Sequence, residues 1–192
     1  MFQGLSIDYM KFKKFLSHPI IFYFTAFLLP FTILFFVYLS QGIYWGSETS
    51  PLLGDGFHQY VIFDVTLRNI LHGTDSLFYS FTSGLGLNFY ALSSYYLGSF
   101  LSPFVFLFDS LSMVDSVYLF TLIKIGLIGL STYHSIKGIY PQLHKFLILS
   151  LSTSFALMSF SISQIEIKTW LDVFILAPLI LLGLHRLMTQ KK

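Results

Sequence analysis

Residues 89–108 read F-Y-A-L-S-S-Y-Y-L-G-S-F-L-S-P-F-V-F-L-F, an apolar run long enough to be mistaken for a membrane span. Whether it crosses decides the topology of everything that follows. Gly98 and Pro103 interrupt it, and both are unfavourable inside a helix. Charge placement settles the matter. If the run stays on one side, Lys11, Lys13, Lys14, Lys137, Lys145, Arg186, Lys191 and Lys192 share one face of the bilayer. Glu48, Asp55, Asp64, Asp75, Asp109, Asp115, Glu166 and Asp172 then share the other. If it crosses, Lys137, Lys145 and the basic tail move outside, against the excess of Lys and Arg in cytoplasmic loops. The run is therefore expected to be a re-entrant or interfacial helix.

Working outward, residues 19–40 form the first expected span, about 33 Å long at the helical rise, enough to cross a hydrocarbon core of about 30 Å. Lys11, Lys13 and Lys14 precede it as in a signal peptide. Yet no Asp, Glu, Lys or Arg occurs from Pro19 to Ser47 and no small-residue cleavage site follows, so an uncleaved anchor is expected. Pro30 should kink it, and Tyr38, Tyr44 and Trp45 mark the far interface. A long outer loop, residues 41–115, carries two interfacial helices, about 57–71 and 89–108. In the first, Tyr60, Phe63, Leu67 and Ile70 form one stripe and Asp64 and Arg68 an i,i+4 pair. His72-Gly73 marks its stop, and Ser83-Gly84-Leu85-Gly86 a turn. Further spans are expected at about 116–136, 146–162 and 171–188, the third rich in Ser and Thr that suit close helix packing. Both termini are then cytoplasmic. The fold class is all-α integral membrane: about four transmembrane helices plus two juxtamembrane helices, in one polytopic domain over residues 1–192.

Composition agrees. Only 10% of the 192 residues are charged, against about 25% in a soluble domain, so the chain cannot coat a water-facing globule. The 23 Phe and 12 Tyr suit a lipid-embedded protein with wide interfaces. The absence of cysteine excludes disulfides and thiolate metal sites. A net charge of +2 with no aromatic-basic patch argues against nucleic acid as a partner, whereas membrane lipids are partners by necessity.

The candidate chemistry centres on residues 51–59, P-L-L-G-D-G-F-H-Q. Asp55 between two glycines suits either a helix N-cap or a carboxylate that accepts a proton from an attacking hydroxyl. The glycines permit close approach of backbone and substrate. His58 and Gln59 stand ready to line such a site, or to form the polar face of a surface helix. Lys124 lies about 12 Å into the second expected span. A buried cation of this kind faces a donor phosphate, snorkels, or pairs with a carboxylate such as Asp115. Asp172 and Glu166 lie on the same side as Asp55. With it they leave room for a divalent metal or for divided acid and base roles, although Glu166 could equally pair with Lys168. The sequence requires no cofactor.

G-D-G-F-H-Q-Y after a first span, a G-L-G turn, Y-Y-L-G-S-F-L-S-P-F, and K-T-W-L-D-V-F-I-L-A-P-L-I-L-L-G opening a late span together resemble the N-terminal part of the bacterial YfhO family. That family is similar in plan to the GT-C glycosyltransferases. The resemblance implies a first outer loop with an acidic motif and two juxtamembrane helices. It implies a catalytic carboxylate at Asp55 and a second acidic position at Asp172 or Glu166. It also implies sugar transfer from an undecaprenyl-phosphate carrier to a cell-wall polymer such as teichoic acid. Family members are several times longer. The resemblance thus implies a truncated chain, inactive alone, whose pocket is closed by later helices or by a C-terminal portion present as a separate chain. A permease subunit and a non-catalytic membrane protein are the alternatives.

Overall fold

The computed structural model describes residues 18–81 and 84–189. Ser83 of the expected turn and Lys11, Lys13, Lys14, Lys191 and Lys192 lie outside the described residues. The helices are α1 (Pro19–Ser40), α2 (Val61–Leu71), α3 (Phe89–Tyr96), α4 (Met113–Ile139), α5 (Lys145–Ala156), α6 (Ser159–Ser163) and α7 (Lys168–Thr189). A wide π turn, Gly56–Tyr60, leads into α2. Among the described residues, extended chain pairs only at an isolated bridge between Ser80 and Leu87. Four segments are long and apolar enough to cross a bilayer: Pro19–Ser40, Ser110–Ile139, Lys145–Ser163 and Lys168–Thr189. The expected all-α membrane architecture holds. The third of these segments breaks where Met158 turns extended between α5 and α6.

Local chemistry explains the ends. Pro19 opens α1 at a position where its missing N–H costs nothing. Gly42, at φ 75°, closes it: Gly42 N–H donates to the Leu39 carbonyl and Ile43 N–H to that of Tyr38. Gly73, at φ 74°, ends α2 by the same device, with Thr74 N–H donating to the Asn69 carbonyl.

Central position falls to α4. Of its most apolar window 67% is buried, against 22%, 22% and 28% in the other three segments, so α1, α5 and α7 surround it and face lipid. One close crossing joins α1 to α4. Pro30 has no N–H for the Ala26 carbonyl one turn back, and Gly129 lies against that freed oxygen. A methyl group on Gly129 would collide with it and come within 2.7 Å of Pro30 Cγ. Gly129→Leu should therefore destabilise the bundle by about 1–3 kcal/mol or more. Gly183→Ala, on a side with nothing within 4 Å, should be neutral or mildly stabilising. Thermal unfolding in mild detergent compares the two.

The expected long interfacial helix over 89–108 is in fact two pieces. α3 stops at Tyr96, and a 3-10 turn, Ser102–Leu107, follows with Pro103 in its first turn. Proline fits only at a helix start, so the chain must leave the helix before it. The break lets each piece bury its own side. Phe89 and Leu97 pack on Phe63 of α2, and Val105 packs with Met113 and Phe120 of α4.

Candidate functional site

The loop between α1 and α2 is tied down before it reaches Asp55. Gly46 N–H donates to the Asp115 carboxylate at the start of α4, 2.8 Å away. Gly54 then takes φ 46°, a conformation that a side chain disfavours. A methyl group there would also lie 2.8 Å from Glu166 Oε2, and one on Gly56 would lie 3.4 Å from Glu166 Cβ. Gly54 is thus required by its backbone conformation, while Gly56 is in ordinary contact with Glu166, which sits in the linker between α6 and α7. Asp55 between them is exposed, in helical conformation, and its side chain makes no capping bond. The N-cap role is not taken up.

Aromatic rings stand beside the acid. Tyr96 packs edge-on against Tyr60 at 5.4 Å and against Tyr95 at 4.7 Å, and lies 4.8 Å from Phe63. Burial lifts the Tyr60 phenol above its ordinary range. A hydrogen bond with the Thr169 side chain opposes this, and Tyr95, Tyr96 and the Asp55 carboxylate add smaller upward pushes. Tyr96 is raised likewise, by burial first and then by Tyr95 and Asp55. Both hydroxyls stay protonated and able to donate. Next to this loop an open groove of about 310 Å³ is lined by Tyr38, Ile43, Pro51, Leu53, Ile165 and Glu166.

Beneath it lie four buried charges. Asp64, fully buried on α2, forms an ion pair with Lys168 at the start of α7. Lys124 of α4, 1% exposed, pairs with Asp172 of α7 at 2.8 Å. Its ammonium also donates to Ser99 Oγ and to the Lys168 carbonyl, each at 2.7 Å. Burial pushes the Asp64 carboxyl above the usual carboxylate range, and the Lys168 ammonium opposes that shift. Two positive and two negative groups balance, so the cluster is neutral. It joins α2, the turn after α3, α4 and α7 at one point. The segment between α1 and α4 is thereby clamped to the membrane bundle.

The sequence model of the family described as bacterial membrane protein YfhO matches residues 26–192. The chain belongs to the YfhO family. Comparison with curated proteins and with solved structures returned no match.

In this YfhO-family chain the residues singled out from sequence fall into two groups. Asp55, His58 and Glu166 stand around the loop, with Asp55 and His58 exposed, Gln59 half-buried and Glu166 packed on the glycines. Lys124 and Asp172 lie in the ion cluster below. Four expectations are corrected. Lys124 pairs with Asp172 and not with Asp115, whose carboxylate instead accepts from the Gly46 N–H. Asp64 does not pair with Arg68: it is buried against Lys168, while Arg68 reaches Asp109 at 3.5 Å and donates to the Phe108 carbonyl. Glu166 has therefore lost Lys168 as a partner. Asp55, Asp172 and Glu166 do not form one ligand set either, since Asp172 is engaged by Lys124. Among the described residues no three His, Cys, Asp or Glu side chains stand close enough to hold a metal.

Sequence reasoning missed Ser99 and the buried pairing of Asp64 with Lys168. One signal was available. Lys168 and Asp172 are four residues apart at the start of an apolar helix, hence on one face, and a face with both signs needs partners of both signs.

Proposed function

We propose that this chain forms the substrate-binding membrane portion of a glycosyltransferase that uses a polyprenyl-phosphate sugar, such as undecaprenyl-phosphate-linked sugar, at the outer face of the cytoplasmic membrane. The observation that carries this reading is the exposed Asp55, held between two glycines under Glu166 and beside the Tyr60–Tyr96 pair. An acceptor hydroxyl on a cell-wall polymer attacks the anomeric carbon. The bond from that carbon to the phosphate oxygen breaks, polyprenyl phosphate leaves, and Asp55 takes the hydroxyl proton. Tyrosine rings suit a sugar because they offer an apolar face and a polar tip. The groove along Leu53 and Ile165 suits the first isoprene units of the carrier. His58 and Gln59 flank the approach to Asp55.

Orientation is part of the proposal. The loop with Asp55 faces outward and both termini face the cytoplasm, because Lys137, Lys145 and Arg186 cluster at the opposite end. The alternative of a transport role draws on the interruptions at Pro30, Gly98 and Pro103, and Lys124, the charge deep within a span, is taken up by Asp172, Ser99 and the Lys168 carbonyl.

The decisive experiment measures sugar transfer from labelled carrier lipid by membranes holding the complete enzyme, with and without Asp55→Asn. A second measurement tests orientation independently. The chain has no cysteine, so Asp55→Cys provides a single thiol. A membrane-impermeant maleimide should label it in intact cells. Labelling only after the cytosolic side is opened overturns the outward orientation and, with it, access to externally presented donor.

A further inference from the structure

At the opposite end of the bundle a second groove, about 350 Å³, lies between α1, α4 and α7. Its floor is one stripe of α4: Leu127, Leu130, Ser131 and His134 follow i, i+3, i+4, i+7 spacing. Ile175 and Leu179, one turn apart on α7, form one wall, and Tyr23 of α1 closes the end. The groove exists because α1 and α7 both pack on α4 while making little contact with each other. It is apolar along its length and basic at its mouth. Lys137 Nζ sits 4.9 Å from the centre of the Tyr23 ring, and His134 Nδ1 lies 3.3 Å from the Tyr23 hydroxyl. Among the described residues Lys137 has no carboxylate partner.

We infer that this groove holds one acyl chain of an anionic glycerophospholipid whose phosphate rests on Lys137 and His134. The occupant follows from position and charge. Lined by Leu127, Leu130, Ile175 and Leu179 on membrane-spanning helices, the channel opens to hydrocarbon, so it is filled by a chain rather than by water. From Leu127 to Lys137 the α4 stripe rises about 15 Å, which carries a chain from the bilayer interior to the headgroup level. There the Lys137 ammonium lacks a counter-ion, and a phosphodiester supplies one. The His134 ring, engaged by Tyr23 through one nitrogen, has the other for a phosphate oxygen. Basic pockets between spanning helices recognise anionic headgroups in this way. The site is separate from the loop that carries Asp55 and does not depend on the glycosyltransferase reading.

The test uses the 192-residue chain purified in a neutral maltoside detergent, with thermal unfolding followed as lipid is added. Phosphatidylglycerol should raise Tm by roughly 5–10 °C at saturation, and phosphatidylcholine by much less. Lys137→Gln should remove most of that rise and Lys137→Arg should keep it. Leu179→Trp, which fills the groove without touching the charge, should also remove it. Lys145→Gln, at the same end but outside the groove, should retain it. Each variant's Tm without lipid reports its folding, and phosphorus analysis of co-purified lipid gives a second readout on variants that melt too low. An equal rise with phosphatidylcholine, an undiminished rise in Lys137→Gln or Leu179→Trp, or an equal loss in Lys145→Gln overturns the inference. So does a Tm unchanged by any lipid, the result expected if another protein helix fills the groove.

Discussion

Replacing Asp64 with asparagine is expected to cost the fold about 3–5 kcal/mol, the usual penalty for stranding a buried charge. Lys168 would keep its ammonium at 7% exposure with no opposite charge against it. The remaining neighbours cannot substitute: the Tyr60 ring lies 5.8 Å away, and Asp172 is held by Lys124. The loss should be largely reversed in the double variant Asp64→Asn/Lys168→Met. Removing both charges in favour of an apolar side chain of similar size is often neutral. The Lys168 carbonyl that receives the Lys124 hydrogen bond is backbone and survives the change. Unfolding free energies in detergent for the two single variants and the double one close a cycle, and a coupling of at least about 2 kcal/mol is expected. Independent, additive effects would show that the pair does not act as a unit.

That cycle also separates scaffold from chemistry. If the pair only clamps the loop to the bundle, the double variant should regain stability and, under the proposed function, transfer in the complete protein as well. If either charge handles a proton during turnover, stability should return without activity.

Under the proposed glycosyltransferase function, Asp55→Asn should lower sugar transfer by about 10²- to 10⁴-fold, the range lost when a positioned proton acceptor is removed. The fold should be untouched. Asp55 is exposed, its side chain caps nothing, and asparagine has the same shape. A variant that inserts and melts as wild type yet transfers no sugar therefore speaks to chemistry. Asp55→Glu should recover part of the rate, since a carboxylate remains but is displaced by one methylene. Glu166→Gln should be milder than Asp55→Asn if Glu166 mainly shapes the loop through Gly54 and Gly56. Unchanged transfer in Asp55→Asn would take this carboxylate out of the mechanism. Transfer lost equally in both would make the two acids joint participants.

Much of the architecture was legible in advance. The turn at His72-Gly73 ends its helix by a left-handed glycine, a local requirement written in two residues. The stripe of Tyr60, Phe63, Leu67 and Ile70 does face inward, onto Phe89 and Leu97. The break in residues 89–108 was half-legible. Gly98 and Pro103 were visible, but the exact point where the helix ends depends on what each piece can bury. The glycines around Asp55 were also visible. Their neighbour was not, because Glu166 reaches them from a linker more than a hundred residues later in the chain.

By itself the sequence determined that this is a membrane protein, how many of its segments can span, and that an acid between two glycines follows the first span. Hydropathy, charge bias and turn chemistry are properties of a segment and its neighbours, so they survive in one dimension. Tertiary structure alone decided which charges meet. Along the chain Asp64 has Arg68 one helical turn away and Lys168 has Glu166 two residues away, and either pairing looks sufficient. Burial overrules proximity. Once α2 and α7 pack on α4, Asp64 and Lys168 lose water together across 104 residues of chain, and only each other's charge can compensate.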